Sequence, residues 1–354
     1  MNRTYHAIRQ PVRRPYGDTY LLLALLSFAF SVSITRLFLA LTGYPQIGGG
    51  DLHISHVLWG GLLLFIAALL PLMVANRWVY RVTAILAGVG IGLFIDEVGK
   101  FMTSSYDYFF TPAAPIIYAF FLICVLIYLQ VSKPRPRNAR SELYATLELM
   151  EEVLDHDLDE NEQKEIKKRL AYVVDQELNP DLNYLARDLL NYFENNQLML
   201  TPAKPGWLQQ FLSRARELET KRLDQAQLKR FLVAGILILG IGSMILPCFS
   251  IFFYFINFST GPTSDIFWYI SSHLILLAAG ILLVYSAILL RADDESRALR
   301  ISYITLLMYL TIINLFLFYY YQFGTILAAL FQFILLMGVI HYQRRYTHTA
   351  TNQE

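Results

Sequence analysis

Apolar residues run in long, nearly charge-free stretches, separated by short polar connectors and one central polar block. A bilayer core of ~30 Å needs roughly 20 apolar residues in helical form. By that measure residues 20–41, 54–75, 80–102, 113–131, 231–255, 267–290, 301–320 and 325–342 are predicted spans. Only a tight link around Gly324 separates the last two. The first stretch is too long for a signal-peptide core, and no small-residue cleavage site follows it. The predicted fold is therefore all-α: a polytopic membrane helix bundle of about eight transmembrane helices with a small helical insert. Residues 1–132 form a first membrane half of four spans, 133–230 the insert, and 231–354 a second half of four spans.

The insert changes pattern abruptly. Pro134 and Pro136 make a stiff exit from the fourth span. Apolar residues then recur at helical spacing: Leu143, Leu147 and Val153, then Ile166, Leu170, Val173 and Val174, then Leu182, Leu185 and Leu189. Asp159 with Glu162 reads as a helix start, and Asn179-Pro180 as a stop and restart, giving three or four short helices. Asp155, Asp157 and Asp159 alternate as in an EF-hand loop. Glu160 stands where that loop needs glycine and Ile166 where it needs a bidentate glutamate, so a solvated acidic helix start is the better reading. Trp207, Leu208, Phe211 and Leu212 oppose Arg214, Arg216, Lys221 and Arg222. That pattern suits a helix on the inner membrane surface or one packed against the insert.

Composition supports the membrane reading. Of 354 residues 55% are hydrophobic, above the usual range for soluble domains, and mean hydropathy is +0.41. The net charge of +1 argues against a nucleic-acid partner, which needs a clustered basic surface. Cys124 and Cys248 both lie in apolar runs, so no disulfide framework or cysteine metal site is expected. Lys and Arg fall before span one, between spans two and three, around the insert, after span six and after span eight, while the alternate loops 42–53, 256–266 and 321–324 hold none. Both termini and residues 133–230 are thus expected on the cytoplasmic side of a cell membrane. Each half has a long first span, a basic-free outer loop, a second span, a basic inner loop and a two-span hairpin, which suggests a parallel four-plus-four duplication.

Ionisable residues inside spans are rare and usually face a protein interior or wet cavity. Here they are Arg36, His53, His56, Asp96, Glu97 and Lys100, with His273 in the sixth span. At ~1.5 Å rise per residue Arg36 lies roughly 24 Å from the inner edge, Asp96 roughly 22 Å, and His56 about 3 Å below the outer edge. All three fall in one outer layer. His53 and His56 share a helix face, Asp96 and Lys100 are four apart in the favourable acid-first order, and Glu97 and Lys100 are three apart. Gly88 and Gly92 continue the Asp96 face, and Gly60 the His56 face, so spans two and three are expected to pack through glycines with His56 opposite Asp96 or Glu97. Three chemistries fit: His53, His56, Asp96 and Glu97 holding a divalent metal (zinc, iron or manganese), the same groups carrying protons, or Arg36 and Lys100 neutralising the carboxylates structurally. Asp51 and Asp107 are expected to cap loops, and the aromatic run 318–321 with Phe323 to anchor at an outer interface.

The stretch GIGLFIDEVGKF at 90–101, continuing through Tyr106-Asp107-Tyr108-Phe109-Phe110 to Pro112 and Tyr118, resembles an uncharacterised family of bacterial multi-span membrane proteins with an Asp-Glu-x-Gly-Lys-Phe motif. The resemblance covers the first four spans and implies a membrane location and a bacterial source. It implies no activity. Membrane hydrolases that hold zinc with intramembrane His and Asp carry a late His-x-x-x-His element that this chain lacks. The expected function is an outer pocket binding a small polar or ionic ligand for transport or sensing. The insert would then be a regulator or a docking point for a protein partner. A metal-dependent intramembrane enzyme and a non-catalytic scaffold are the alternatives.

Overall fold

The computed structural model describes residues 11–43, 55–104, 110–134, 136–176, 180–195, 199–202, 225–256 and 263–347. Residues outside these ranges include His53, Asp51, Asp107 and the amphipathic 207–222 segment. Among the described residues there is no strand, and one isolated bridge joins Asp159 to Thr201. The chain divides into two compact units: Met1–Glu97 with Ile123–Gly206, and Val98–Leu122 with Trp207–Glu354.

The first unit holds spans α1 (Gly17–Thr42), α2 (His56–Met73) and α3 (Trp78–Ile95). Both α1 and α2 pack on α3. Glycines set the spacing. A Cβ at Gly60 would meet Gly90 O and Phe94 N at 2.8 Å, and one at Gly90 would meet Gly60 O at 2.9 Å, so α2 and α3 touch backbone to backbone there. Gly88 and Gly92 instead face α1, against Ala24, Ser27 and Ser31. The expected glycine packing thus holds for Gly60, while the face carrying Gly88, Gly92 and Asp96 serves the first span. Large apolar side chains such as Phe30 (65%) and Leu58 (63%) point outward while Arg36 and Asp96 are buried. This inversion of the soluble pattern is what lipid as solvent selects.

The third span ends earlier than its apolar run suggests. α3 stops at Ile95 and a separate short helix, α4 (Val98–Met102), follows. Arg36 explains the break: its guanidinium donates to the Asp96 carbonyl at 2.8 Å, the oxygen a continuing helix would offer to residue 100. α5 (Ala113–Ser132) is the fourth span. Its C-terminal carbonyls at Gln130, Val131 and Lys133 accept from the Arg13 guanidinium.

The insert is a three-helix bundle of α6 (Ala139–Leu154), α7 (Glu160–Asp175) and α8 (Pro180–Asn195). Asp159 and Glu162 form the expected capping box at the start of α7. The Asp159 carboxylate is therefore spent on the amides of Asn161 and Glu162. The core contains Leu143, Ile166, Leu170 and Val173 as expected, plus Leu149, Leu158 and Phe193. Leu147 and Leu185 are exposed instead, because neighbouring positions on α6 and α8 turn towards the core.

The second unit holds α9 (Gln225–Ile256), α10 (Thr263–Arg291), and a last helical run from Glu295. Here α9 and α10 pack directly, Gly240 against Gly280. In the first unit α1 packs on α3 rather than on α2, so the two halves share an outline but differ in packing. Among the described residues there are, by unbroken run, seven helices long and apolar enough to cross a membrane, the seventh spanning Glu295–Arg345. That run is two spans: α11 (Glu295–Met308) continued by a π-turn Tyr309–Ile313 and α12 (Asn314–Tyr321), then α13 (Thr325–Tyr342). Gln322, at φ 46°, turns the chain between them. Asn314 Nδ2 reaches Gln332 Oε1 at 2.9 Å across the fold-back. Eighteen residues of straight helix would hold them ~27 Å apart. The protein is an all-α integral membrane bundle.

Candidate functional site

Three helix ends meet at one end of the first unit. α1 supplies Arg36, one turn or more before its end at Thr42; α2 supplies His56, its first residue, with Ser55 as N-cap; the chain leaving α3 supplies Asp96 and Glu97. Arg36 Nε lies 2.5 Å from Asp96 Oδ1, and His56 Nε2 lies 3.1 Å from Asp96 Oδ2. On the other side of the ring, His56 Nδ1 sits 3.1 Å from Glu97 Oε1. The Arg36, Asp96 and Glu97 side chains are almost fully buried, at 7, 0 and 3% exposed, while His56 keeps 22%. His56 is therefore the accessible member of an otherwise buried group.

Neutral imidazole has one N–H and one bare lone pair, whereas the protonated ring donates from both nitrogens. With each ring nitrogen 3.1 Å from a carboxylate oxygen, the geometry suits a ring that donates to Asp96 and Glu97 at once.

The four residues brought together are those expected from the sequence. Lys100 is on α4, a separate short helix that starts after the break at Asp96 and Glu97. His53 lies outside the described residues. Among the described residues no three His, Cys, Asp or Glu side chains are grouped as a metal site. His56 directs its two nitrogens at different carboxylates, so these three groups do not converge on one point.

A second ionic node sits at the opposite end of α3, and the sequence reading missed it. Arg77, one of the basic residues between spans two and three, is 5% exposed. Its Nη1 lies 2.9 Å from Glu152 on α6 and 3.0 Å from Glu162 on α7, and its guanidinium stacks 4.4 Å over the Tyr16 ring. Asn76 donates to Asp155 at 2.8 Å, and Arg14 lies 3.8 Å from Glu148 and 3.5 Å over the Tyr80 ring. The insert is thus docked on the end of α3 through buried charge. Burial lowers the Arg77 guanidinium, but Tyr16, Glu162 and Glu152 outweigh it and hold it above its ordinary value. The contact is asymmetric: burial pushes the Glu152 and Glu148 carboxyls up, and the nearby arginines recover only part of that cost. The available signal was the spacing of Glu148, Glu151, Glu152 and Asp155, which stripes one face of α6 with acid.

No family model, curated protein or solved structure matches this chain. The functional reading rests on geometry.

The second unit has its own buried polar network. Tyr118 on α5 donates to the Leu310 carbonyl at 2.6 Å, inside the π-turn, and Asn314 Nδ2 reaches Tyr118 Oη at 3.3 Å. Asn314 and Gln332 are essentially inaccessible. A π-turn loosens the α-helical hydrogen-bond ladder, and here the extra acceptor is used by a neighbouring helix. Two carboxamides within apolar runs were the visible signal.

Proposed function

We propose that the protein is a proton-responsive membrane sensor, in which the Arg36–His56–Asp96–Glu97 cluster binds a proton and the cytoplasmic insert reads its occupancy through α3. The observation that carries this reading is that α3 runs between two buried ionic nodes, one accessible through His56 and one holding the insert. The positive-inside pattern supports a cytoplasmic insert and a cluster at the outer face of the membrane. Close glycine and serine packing along α1, α2 and α3 supports rigid transmission more than a polar transport path. A small polar ligand at the outer face would act through the same groups by competing for His56 or Glu97.

A divalent metal would have to draw His56 away from one carboxylate. The pairing of Arg36 and His56 with two buried carboxylates favours a second reading, a structural network in a scaffold. Nitrogen-15 NMR of imidazole-labelled protein in nanodiscs separates these readings, with His56→Gln assigning the signal. A proton sensor shows His56 gaining and losing a proton reversibly within the physiological pH range. A structural network shows one protonation state throughout, and a metal site shows a metal-dependent nitrogen shift.

A further inference from the structure

His273 lies on α10, eighteen positions before Arg291, hence ~27 Å along the helix and at the far end of the span from that basic terminus. It is 3% exposed. Its Nδ1 donates to the Tyr269 carbonyl at 2.8 Å, which fixes the tautomer and makes Nε2 a bare acceptor. Nε2 has no hydrogen-bond partner among the described residues. His273 lines a small pocket with a free space of about 10 Å³, with Ser272, Tyr320 and Tyr321 as its other polar walls and side chains such as Leu276 and Phe316 as its apolar floor. That is room for about one water-sized group, far below the ~300–1,000 Å³ of pockets that enclose whole ligands, so it suits one small functional group of a larger molecule.

The walls specify that group. Ser272 Oγ donates to the Tyr269 carbonyl at 2.8 Å, so towards the pocket it accepts, as does Nε2. An occupant that donates satisfies both acceptors. The pocket lining includes no Lys, Arg, Asp or Glu. The rings of Tyr269 and Tyr320 lie 4.2 and 5.8 Å from the imidazole, and aromatic faces attract cations. An unsatisfied buried acceptor is costly, which gives the occupant its driving force.

We propose that this pocket binds a primary ammonium group, supplied by the headgroup of an aminophospholipid seated at the aromatic belt beside Tyr320 and Tyr321. The ammonium donates to His273 Nε2 and Ser272 Oγ, and the lipid body follows the apolar floor.

The test is native mass spectrometry of the full chain with phosphatidylethanolamine or phosphatidylcholine of identical acyl chains, whose headgroups differ in having N–H donors. It is accompanied by melting of the detergent-purified protein with and without methylammonium. The expected result is about five-fold preference for phosphatidylethanolamine, the worth of one net hydrogen bond. His273→Phe abolishes it, while His273→Gln, which keeps an acceptor, retains most of it. Equal lipid binding with a methylammonium-dependent melting shift in wild type but not in His273→Phe would uphold the ammonium site with a free amine as its source. Equal lipid binding with no methylammonium effect would leave a pocket for water and overturn the proposal. So would a preference that His273→Phe, folded to the wild-type melting temperature, leaves unchanged.

Discussion

Arg77 and Asp96 are the residues immediately before and after α3, an 18-residue helix, and each is buried in an ionic contact at its own end. About 28 Å separates them along the axis. Arg77 holds Glu152 and Glu162 of the insert; Asp96 holds Arg36 and His56. A displacement of one end of this helix is therefore delivered to charged groups at the other.

Asp96→Asn should be strongly destabilising. It leaves Arg36 buried without its counter-charge, and breaking a buried pair costs about 3–5 kcal/mol. Arg36→Met in the same background should recover much of that loss, since replacing both partners removes the unpaired charge. Denaturant or thermal melts of the single and double variants in one detergent measure both effects. An unaffected Asp96→Asn single variant would show that the pair does not hold the site together.

Arg77→Ala should release the insert while leaving the spans folded. Glu152 and Glu162 keep some exposure, so a loss of about 2–3 kcal/mol is expected, less than for a fully enclosed pair. Limited proteolysis within 139–175 should accelerate, and Arg77→Lys should rescue it only in part, because ammonium neither bridges two carboxylates in one plane nor stacks on Tyr16 as guanidinium does.

The raised carboxyls of Glu148 and Glu152 give a signed pH dependence. A carboxyl whose folded pKa is raised binds its proton more tightly when folded. It thus contributes stability at low pH that is lost as pH climbs from the ordinary 4.5 through the folded value. Glu148 Oε1 is buried with no hydrogen-bond partner among the described residues. Glu148→Gln should therefore flatten the decline in insert stability above pH 4.5 and be neutral or slightly stabilising at pH 7. A steeper decline in the variant would reverse the sign and refute the burial argument.

Neighbouring glycines on α2 should respond oppositely. A Cβ at Gly60 collides with the α3 backbone, whereas one at Gly61 meets nothing within 4 Å. Gly60→Ala is expected to cost about 1–3 kcal/mol through forced separation of the helices. Gly61→Ala should be neutral or gain up to about 1 kcal/mol from helix propensity. Melting of the two variants side by side decides it.

The spans were legible because a bilayer imposes one length and one composition on every crossing helix. Arg36, His56, Asp96 and Glu97 were legible because helical rise alone puts them in one layer. What periodicity missed were the events that depend on a partner. The break after Ile95 follows from Arg36 taking the Asp96 carbonyl, and nothing within 80–102 announces it. Arg77 looked like any inner-loop cation until Glu152 and Glu162 closed on it. The eighth span was visible as an apolar run, and the turn at Gln322 with the Asn314–Gln332 contact shows where the chain folds back.

The most direct test of transmission through α3 is hydrogen exchange of residues 139–175 in nanodiscs, corrected for intrinsic rate, across a pH titration of wild type and His56→Gln. Transmission requires protection around Glu148–Glu162 to show, in wild type, a pH-dependent change beyond the decline due to Glu148 and Glu152, and requires that extra change to be missing in His56→Gln. Identical protection in both proteins at every pH, with both folded, would contradict it and leave the outer cluster a structural charge network.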